Sequence, residues 1–414
     1  MVKQMRIVQI NVTYGNADST GRNVKEFHEY LLSKGVDSEV YVSVINGNSE
    51  KDGRIHLFSS QFDKRMHAFL SRLTGKQGYF SKKSTHQLIL ELKRNRADVI
   101  ILHVLHSNCV NFPMLFDYLS QENIPVIVVL HDCWYYTGHC CHYTSVGCDK
   151  WKNRCGRCPQ IHQWNKSWFF DHSINALDDK RKWFSSIQRL GVIGVSDWIT
   201  NEARQSILQC ATLIQRVYNW VDLEVFKPKN SKILRDSLEI PIQAKVLLGV
   251  ASRWGEQKGL QEVLLVSQSL PDVKVVVIGH LPQNMRVPEN MICVGMVESP
   301  DKLAEYYSMA NVFLNPSYQE TFGKTTAEAL SCGTPAVVYN TTACPELIAE
   351  GCGKVVPAFN KTLFVECVRQ QLSESSELTA TQCRKFATRT FSASNCMKEY
   401  ENVGMRLLEK HIEK

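Results

Sequence analysis

This 414-residue chain lacks the run of about 20 apolar residues that a membrane-spanning helix needs. Its longest apolar runs, such as residues 126–130, are far shorter. Charge of one sign is not in large excess either, because the net charge is +7. That surplus suits an anionic substrate or an acidic membrane surface and does not indicate nucleic-acid binding. The sequence also lacks short repeats and low-complexity tracts, and 44% of its residues are hydrophobic. These features indicate a globular protein of two or three domains of roughly 150 residues each.

Residues 1–6 do not resemble a signal peptide, and the apolar residues 7–10 that follow are strand-like. We therefore expect a cytoplasmic protein. Its 15 cysteines are then expected to be thiols or metal ligands, because disulfides are rare in reducing compartments.

Strand-like and helix-like segments alternate along the whole chain, which predicts an α/β fold with doubly wound parallel sheets. Several apolar runs are continuous, as expected for strands buried on both faces. The predicted strands are residues 7–10, 40–44, 99–102, 126–130, 192–195, 246–250, 273–278, 312–314 and 336–338. Amphipathic residues 259–270 and 301–310 are predicted helices.

A join between two α/β halves is predicted at residues 219–244, which contain Pro228 and Pro241. We expect two Rossmann-like domains facing across a cleft, with ligands at the carboxyl ends of the strands. The predicted domains are residues 1–218 and 245–395. Residues 132–172 form a cysteine-rich insert in the first domain, and residues 396–414 form a terminal helix that packs back on it.

Two carboxylates, Glu320 and Glu328, flank a glycine-containing turn that opens a predicted helix. Backbone N–H groups at a helix start attract anions. A carboxylate beside an anion site suits the hydroxyls of a sugar attached to a phosphate, because ionised carboxylates accept hydrogen bonds. The pattern therefore predicts a nucleotide-sugar site. Upstream, Arg253 and Lys258 follow a strand and can both reach one diphosphate, although taken alone they could be solvated surface charges.

These motifs resemble the group 1 (family 4) retaining glycosyltransferases of the GT-B fold. The resemblance runs across most of residues 246–357. It is carried by Ser252-Arg253, Lys258-Gly259, Val277-Ile278-Gly279, Val294-Gly295, Asn315-Pro316-Ser317, Glu320, Phe322-Gly323, Glu328-Ala329-Leu330, Cys332-Gly333-Thr334-Pro335 and Pro345-Glu346.

The resemblance implies a role for each matching position. Arg253 and Lys258 would hold the donor diphosphate, and Glu320 would contact hydroxyls of the donor sugar. Glu328 would bind the ribose. The turn between the two glutamates would present backbone amides to sugar and phosphate, through Thr321, Phe322, Gly323 and Lys324. No cofactor would be required at the donor site.

The first half carries polar residues where predicted strands end. His131 and Asp132 follow one strand, and His103 and His106 follow the preceding one. Three histidines at adjacent strand ends favour a polar cleft over a structural role, and His103, His106 and Asp132 are candidates for its acceptor side. The resemblance implies that His131 lies near the reaction centre. Gly21 follows the first strand; the resemblance implies a place beside the donor phosphates, and an ordinary turn glycine is the alternative.

The insert contains four cysteines at short spacing that suit a tetrahedral structural zinc site: Cys140, Cys148, Cys155 and Cys158, with Cys141 an alternative to Cys140. Reduced cysteines in a packed loop are the other interpretation, and a nucleic-acid zinc ribbon is disfavoured within an α/β domain. The pattern from His131 to Gln160 resembles a bacterial subgroup of these transferases associated with colanic acid and related surface polysaccharides.

Basic and apolar residues are mixed between Lys64 and Leu73, followed by Lys76, Lys82 and Lys83. Such a segment could lie on an anionic membrane. A surface helix whose apolar side packs on the sheet is the alternative.

Together these features predict a retaining hexosyltransferase of bacterial surface polysaccharide (O-antigen, capsule or exopolysaccharide) synthesis. The donor would be a UDP- or GDP-sugar and the acceptor a glycan or an undecaprenyl-diphosphate-linked glycan, without nucleic acid. Peripheral contact with the inner face of the cytoplasmic membrane would follow. The alternatives are a nucleotide-sugar epimerase on the same fold and a non-catalytic binding protein.

Overall fold

The computed structural model describes residues 5–16, 18–46 and 52–409. By its internal contacts the chain divides into two units. The first unit comprises Met1–Val217 and Met397–Lys414, and the second comprises Tyr218–Cys396.

The first unit contains a seven-stranded parallel sheet in the order β3-β2-β1-β4-β5-β6-β7. Its strands are β1 (Arg6–Tyr14), β2 (Asp37–Ile45), β3 (Ile55–Leu57), β4 (Val99–Leu102), β5 (Val126–Leu130), β6 (Leu190–Gly194) and β7 (Leu213–Arg216). Its helices are α1 (Ser19–Ser33), α2 (Gln61–Thr74), α3 (Lys82–Arg94), α4 (Phe112–Gln121), α5 (Ser173–Ser186), α6 (Asp197–Arg204) and, at the far end of the chain, α13 (Ala393–Glu409).

Every residue of the central strands β4 and β5 is buried. Continuous Val, Ile and Leu runs are what a strand covered by helices on both faces requires. One face is covered in part by α13, where Tyr400 packs on Phe27 of α1 with ring centroids 5.3 Å apart.

The second unit contains a six-stranded parallel sheet in the order β10-β9-β8-β11-β12-β13. Its strands are β8 (Val246–Arg253), β9 (Lys274–His280), β10 (Met291–Val294), β11 (Val312–Asn315), β12 (Ala336–Tyr339) and β13 (Gly353–Val356). Its helices are α7 (Lys232–Ser237), α8 (Leu260–Ser269), α9 (Pro300–Met309), α10 (Lys324–Ser331), α11 (Lys361–Glu374) and α12 (Glu377–Thr390).

Both sheets have a topological switch point, where neighbouring strands are followed by connections that leave in opposite directions. In the first unit it lies between β1 and β4, and in the second between β8 and β11. Ligands of open α/β sheets bind at the carboxyl ends of the strands at such points. The loops after these four strands are therefore where candidate site residues are expected.

The predicted α/β fold class is confirmed, since each unit is a Rossmann-like parallel sheet with helices, and all nine predicted strands are present. The short edge strands β3, β7, β10 and β13 were not predicted. Residues 219–244 are grouped with the second unit and contain α7, and residues from Met397 onward are grouped with the first.

The insert at residues 132–172 consists of loops and three short 3-10 turns, which are Trp134–Tyr136, Thr144–Val146 and Lys150–Lys152. Within 5–16, 18–46 and 52–409, no helix combines the length and apolar character needed to cross a bilayer.

Candidate functional site

In the second unit, Arg253 and Lys258 lie just beyond the carboxyl end of β8, as predicted. Arg253 is the last residue of the strand, and Lys258 ends a 3-10 turn that leads into α8. Gly259 then adopts φ +66°, and a Cβ there would lie 2.3 Å from the carbonyl oxygen of Pro316. The close approach of these two loops brings the residues after β8 against those after β11.

Lys258 and Glu320 form an ion pair in which the Nζ donates to Oε1 at 2.5 Å. Burial lowers the pKa of Lys258, but the carboxylate of Glu320 outweighs it, and the pKa lies above its usual value. Lys258 is therefore a firmly protonated ammonium. A cation that can bind phosphate and a carboxylate that can accept hydrogen bonds from hydroxyls are thus in direct contact.

The loop after β12 holds Glu320 in place. The Glu320 amide donates to Thr342 Oγ1 at 2.8 Å, and the Ala343 amide donates to the Glu320 carbonyl at 3.2 Å. Thr342 has φ +44°, an uncommon conformation for a β-branched residue. The sequence analysis missed Thr342 and Ala343, and the only signal in the chain was their position before the quoted Pro345-Glu346 motif.

The predicted anion site at the start of α10 has the expected backbone form. Gly323 occupies the cap position with φ +92°, and no side chain caps the helix, which begins at Lys324. Phe322 is buried and packs on Phe391 with ring centroids 5.6 Å apart. This packing fixes the turn that contains Thr321, so that the N–H groups of the helix start keep one direction.

Glu328 lies one turn into α10 and is buried. Its Oε2 accepts a hydrogen bond of 3.0 Å from the Tyr307 hydroxyl. A buried carboxylate needs such donors, because desolvation of an isolated charge is costly. The ribose role predicted for Glu328 stays a prediction, and Tyr307 is a positioning contact that the sequence analysis did not identify.

In the first unit, two of the predicted histidines, His103 and His131, directly follow β4 and β5 and contact each other. His103 Nδ1 lies 3.1 Å from His131 Nε2, and His103 Nε2 lies 3.1 Å from Gln9 Oε1. Gln9 Nε2 donates to the Val24 carbonyl, which orients the amide. Burial, followed by the charge of His131, places the pKa of His103 well below its usual value, so His103 is neutral.

This chain of contacts assigns the protons. Gln9 Oε1 can only accept, so His103 carries its hydrogen on Nε2 and accepts at Nδ1. His131 must then donate from Nε2 to His103 Nδ1. The His131 ring is therefore held in a defined orientation at the carboxyl end of β5.

His106 and Asp132 form a second pair, with Nε2 and Oδ2 2.7 Å apart. The Trp134 amide donates to Asp132 Oδ1. Burial alone would raise the pKa of Asp132, but His106 and these hydrogen bonds outweigh it and lower the pKa to about 2. Cys141 Sγ lies 3.8 Å from His106 Nε2.

Among the residues that the structure describes, His106, Asp132 and Cys141 form a set of possible metal ligands within 4.8 Å of one another. Hydrogen bonding accounts for this set without an ion. His106 Nε2 donates to Asp132 and its Nδ1 lies 3.4 Å from Asn165 Nδ2. Both ring nitrogens therefore already have partners.

Gly21 lies in the first turn of α1, where its amide donates to the capping carboxylate of Asp18 at 2.7 Å. A Cβ at Gly21 would lie 2.9 Å from Thr13 Oγ1. The structure thus gives this glycine a packing reason. The turn after β1 also contains Gly15, with φ +118° and no room for a Cβ against the Asn46 carbonyl. The sequence analysis overlooked Gly15.

Three of the four predicted zinc ligands lie near the fourth, Cys140. Burial, followed by the neighbouring thiols of Cys158, Cys155 and Cys148, raises the pKa of Cys140 to about 12. The Gly138 amide points at Cys155 Sγ across 3.3 Å. An N–H group directed at sulfur suits a thiolate. The group of possible ligands within 4.8 Å of one another is His106, Asp132 and Cys141, and it includes none of these four thiols. Zinc at the four cysteines therefore stays a prediction.

A buried lysine holds the start of the insert to α5. Lys180 Nζ donates to the Trp134 and Thr137 carbonyls at 2.5 and 2.8 Å and lies 3.3 Å from the Trp134 ring centroid. Burial lowers the pKa of Lys180 to about 7, while Cys155, Cys141 and Cys140 act in the opposite direction. The insert is therefore a packed part of the first unit. Sequence reasoning did not single out Lys180.

Comparison with known families identifies part of the chain. Residues 231–390 match the family described as glycosyl transferases group 1, so the second unit carries a domain of this type. The chain is also similar to N-acetyl-alpha-D-glucosaminyl L-malate synthase of Bacillus anthracis. It is 24% identical over 227 residues, which cover 51% of this chain and 58% of that protein. The match thus spans little more than half of the relative's length.

Solved structures share the fold along nearly the whole chain. Sucrose-phosphate synthase from Thermosynechococcus elongatus has a TM-score of 0.70 at 14% identity, covering 98% of this chain and 100% of that one. Anabaena Alr3699/HepE in complex with UDP and glucose has a TM-score of 0.65 at 14% identity, covering 96% and 99%. At such identities the likeness shows the GT-B fold alone.

Proposed function

We propose that this protein is a retaining glycosyltransferase that moves a hexosyl group from a nucleotide-sugar to a glycan acceptor. The contact between Lys258 and Glu320 is the observation that supports this most directly. The two side chains, to which we assign phosphate and sugar hydroxyls respectively, lie side by side at the switch point of the unit that carries the group 1 glycosyltransferase match. Anabaena HepE, which shares the fold, has been solved with UDP and glucose.

The donor would lie along the loops after β8, β11 and β12. Arg253 and Lys258 would hold the diphosphate, and the uncapped start of α10 at Gly323 would supply N–H groups to it. Glu320 would orient the hexose, and Glu328 the ribose. Two protein cations can neutralise a diphosphate, so no metal ion is needed there.

The chemistry follows from where charge develops. The bond between the anomeric carbon and the phosphate oxygen breaks, and the acceptor oxygen attacks from the same face. The acceptor proton passes to the departing phosphate oxygen, while Arg253 and Lys258 stabilise the added negative charge. His131 would hold a substrate hydroxyl, and exclusion of water would suppress donor hydrolysis.

The acceptor proposed is a glycan linked to undecaprenyl diphosphate in bacterial surface polysaccharide synthesis. Support comes from the cysteine-rich insert, whose pattern resembles the colanic-acid subgroup, and from the His106–Asp132 pair at the end of β5. A lipid-linked acceptor would bring the protein to the inner face of the cytoplasmic membrane.

A single assay tests the donor proposal. The full chain is screened by thermal shift against UDP-, GDP- and ADP-sugars, because a ligand that binds only the folded state raises its Tm. The nucleotide-sugar that raises the Tm is then incubated with the protein, with and without a lipid-linked glycan acceptor, and glycosylated product is measured. We expect acceptor-dependent product. A new nucleotide-sugar formed without acceptor would instead identify an epimerase.

The matched variants are Lys258→Ala and Lys302→Ala. Lys302 is a lysine of the same unit that pairs with Glu305 on α9. We expect Lys258→Ala to lower turnover by about two orders of magnitude, since it removes a charge that stabilises the leaving group. Lys302→Ala should behave as wild type. Unchanged turnover in Lys258→Ala would refute the donor-site assignment.

A further inference from the structure

Helix α2 presents its apolar residues to solvent. Phe62, Met66, Phe69 and Leu73 recur at helical spacing, and all four are exposed, Phe62 to 75%. The buried positions of the same helix are polar, namely His67 and Ser71. A helix of a soluble domain normally has the opposite arrangement. The alternative that the apolar side packs on the sheet is therefore wrong.

The polar residues on the inner side of α2 are fully engaged. His67 Nδ1 lies 2.8 Å from Ser81 Oγ, and the Gly78 amide donates to His67 Nε2 at 3.2 Å. The orientation of α2 is thus fixed by specific hydrogen bonds. The outward apolar stripe is a consequence of how the helix is anchored.

A second group of exposed aromatic residues comes from the insert and lies against the same helix. Trp168, Phe169 and Phe170 are consecutive, and Phe169 is 70% exposed. The Trp168 amide donates to the Arg72 carbonyl at 2.7 Å, and the Trp168 ring packs edge-on against Phe69 at 6.0 Å. The stripe of α2 and this loop are therefore one continuous surface, here called the aromatic surface.

The loop is held rigidly in this position. Ser167 is buried, and its hydroxyl donates to the Phe170 carbonyl at 2.8 Å. Gly75, which ends α2 with φ +73°, has no room for a Cβ because the Phe170 carbonyl oxygen would lie 2.3 Å from it. The exposed rings are thus presented by a tied loop, which lowers the entropy cost of inserting them into a partner.

Cations border the aromatic surface. Lys64, Arg65 and Arg72 line one groove of about 360 Å³ together with Asn108. Within the part of the chain that the structure describes, none of the three is ion-paired with a carboxylate. Unpaired cations beside exposed aromatic rings match the interface of an anionic bilayer, where rings enter the headgroup region and cations meet lipid phosphates.

We propose that the aromatic surface docks the first unit on an anionic lipid bilayer, with lipid phosphates in the groove of Lys64, Arg65 and Arg72. This docking rests on the proposed function, because a lipid-linked acceptor is what would require the protein to meet a bilayer. Large exposed apolar patches on a protein surface mark interaction sites, and the cations select a lipid surface with negative charge.

The test measures partitioning of the full chain onto sucrose-loaded vesicles of phosphatidylglycerol and phosphatidylcholine, or of phosphatidylcholine alone. The triple variant Phe62→Ser/Phe69→Ser/Phe169→Ser should lower the partition coefficient at least about tenfold, because three rings no longer enter the interface. Its matched control is Ile233→Ser/Ile242→Ser/Leu378→Ser. This control replaces three apolar residues of the second unit that are each at least 63% exposed, and it should bind as wild type.

A charge variant separates lipid phosphate from apolar contact. Lys64→Gln/Arg65→Gln/Arg72→Gln should reduce binding to the anionic vesicles about 100-fold, at roughly fivefold per cation, and leave the weak binding to phosphatidylcholine unchanged. Binding to anionic vesicles should also fall with salt. Inorganic phosphate at millimolar concentration should not displace the protein, which distinguishes a bilayer from a free phosphate ligand.

A second measurement does not depend on the triple variant folding. Vesicles with brominated phosphatidylglycerol should quench the tryptophan fluorescence of wild type more than that of Trp168→Phe, because Trp168 would lie in the interface. Equal quenching would overturn the proposal, as would wild-type protein that stays in the supernatant.

Sedimentation showing a dimer that the triple variant abolishes would assign the surface to a second copy instead. If a nucleotide-sugar raises the Tm of wild type but wild type does not bind vesicles, the docking proposal is refuted and the proposed function is not.

Discussion

Lys258 and Glu320 neutralise each other in direct contact, and this pairing has a consequence for donor binding. Their side chains are 37% and 18% exposed, so the pair itself contributes only modestly to stability. A diphosphate that reaches Lys258 must share the ammonium with the carboxylate. The hydroxyls of the attached sugar would then satisfy the carboxylate oxygens, so a complete nucleotide-sugar compensates for both changes.

The substitution Glu320→Gln should affect nucleotide binding and turnover differently. Removing the carboxylate frees Lys258 for phosphate, so the thermal shift produced by the free nucleoside diphosphate should equal or exceed that of wild type. Turnover should fall about 100-fold, because the hexose loses a charged partner that orients it. The control is Glu305→Gln on α9. Equal losses in nucleotide binding and turnover would contradict a sugar-specific role for Glu320.

A pH-dependent stability difference is expected at Asp132. Its pKa is lowered to about 2, from an ordinary value near 3.8. The stabilisation is therefore present above pH 4 and is lost as the pH falls towards 2. It amounts to about 2 kcal/mol at neutral pH. Urea unfolding of wild type and Asp132→Asn should differ by that amount at pH 7 and converge below about pH 2. A difference independent of pH would mean that packing, and not charge, stabilises Asp132.

At the residue scale the sequence located most candidate positions but not their supports. The sequence reveals Arg253, Lys258 and Glu320 because each belongs to a short motif that directly follows a predicted strand. The Gln9–His103 contact joins residues 94 apart, and the Thr342–Glu320 contact joins residues 22 apart. Neither follows a local periodicity, so only the folded chain reveals these partners.

Among the elements, the central strands were predictable because each is a continuous apolar run buried on both faces. The orientation of α2 was not. Its spacing shows an apolar stripe, but the same stripe fits a buried or an exposed face. The hydrogen bonds of His67 decided between them. The insert lacks any periodic pattern, so its loops could be anticipated only from cysteine spacing.

The turn that leads into α8 yields a matched pair of glycine substitutions. Gly259→Ala should destabilise the protein by more than about 1 kcal/mol, because φ is +66° and the new Cβ would meet the Pro316 carbonyl. Gly255→Ala, four residues earlier, has extended backbone and open space around the new Cβ. It should be close to neutral. Both are read from the urea midpoint, and equal effects would contradict the described turn.

Metal analysis decides the nature of the insert. The thiols around Cys140 suit zinc, whose binding requires thiolates and would lower their pKa values. Protein purified without chelator should contain about one equivalent of zinc, and Cys155→Ser/Cys158→Ser should lose it and melt at lower temperature. The control is Cys210→Ser/Cys293→Ser, two exposed cysteines outside the insert. Less than about 0.2 equivalents in wild type would indicate reduced, metal-free cysteines.

At the scale of the whole molecule, sequence order and structural grouping diverge at the end of the chain. Residues from Met397 onward are grouped with the first unit. Gly404 of α13 approaches Val99 of β4 closely, and Leu407 lies against Gly191 of β6. The group 1 glycosyltransferase match ends at residue 390, before α13. The family match alone therefore does not show where this helix packs.

Deleting residues 397–414 should consequently destabilise the first unit, although the deletion follows the second unit in sequence. Tyr400, Val403 and Leu407 are buried, and the loss of these three contacts alone removes about 5 kcal/mol or more, comparable to the stability of a whole domain. Calorimetry should show one transition weakened or absent and the other still shifted upward by the nucleotide. The control Met405→Ser changes an exposed residue of the same helix and should leave both transitions in place. Loss of the nucleotide-dependent transition, with the other one intact, would mean that α13 supports the second unit instead.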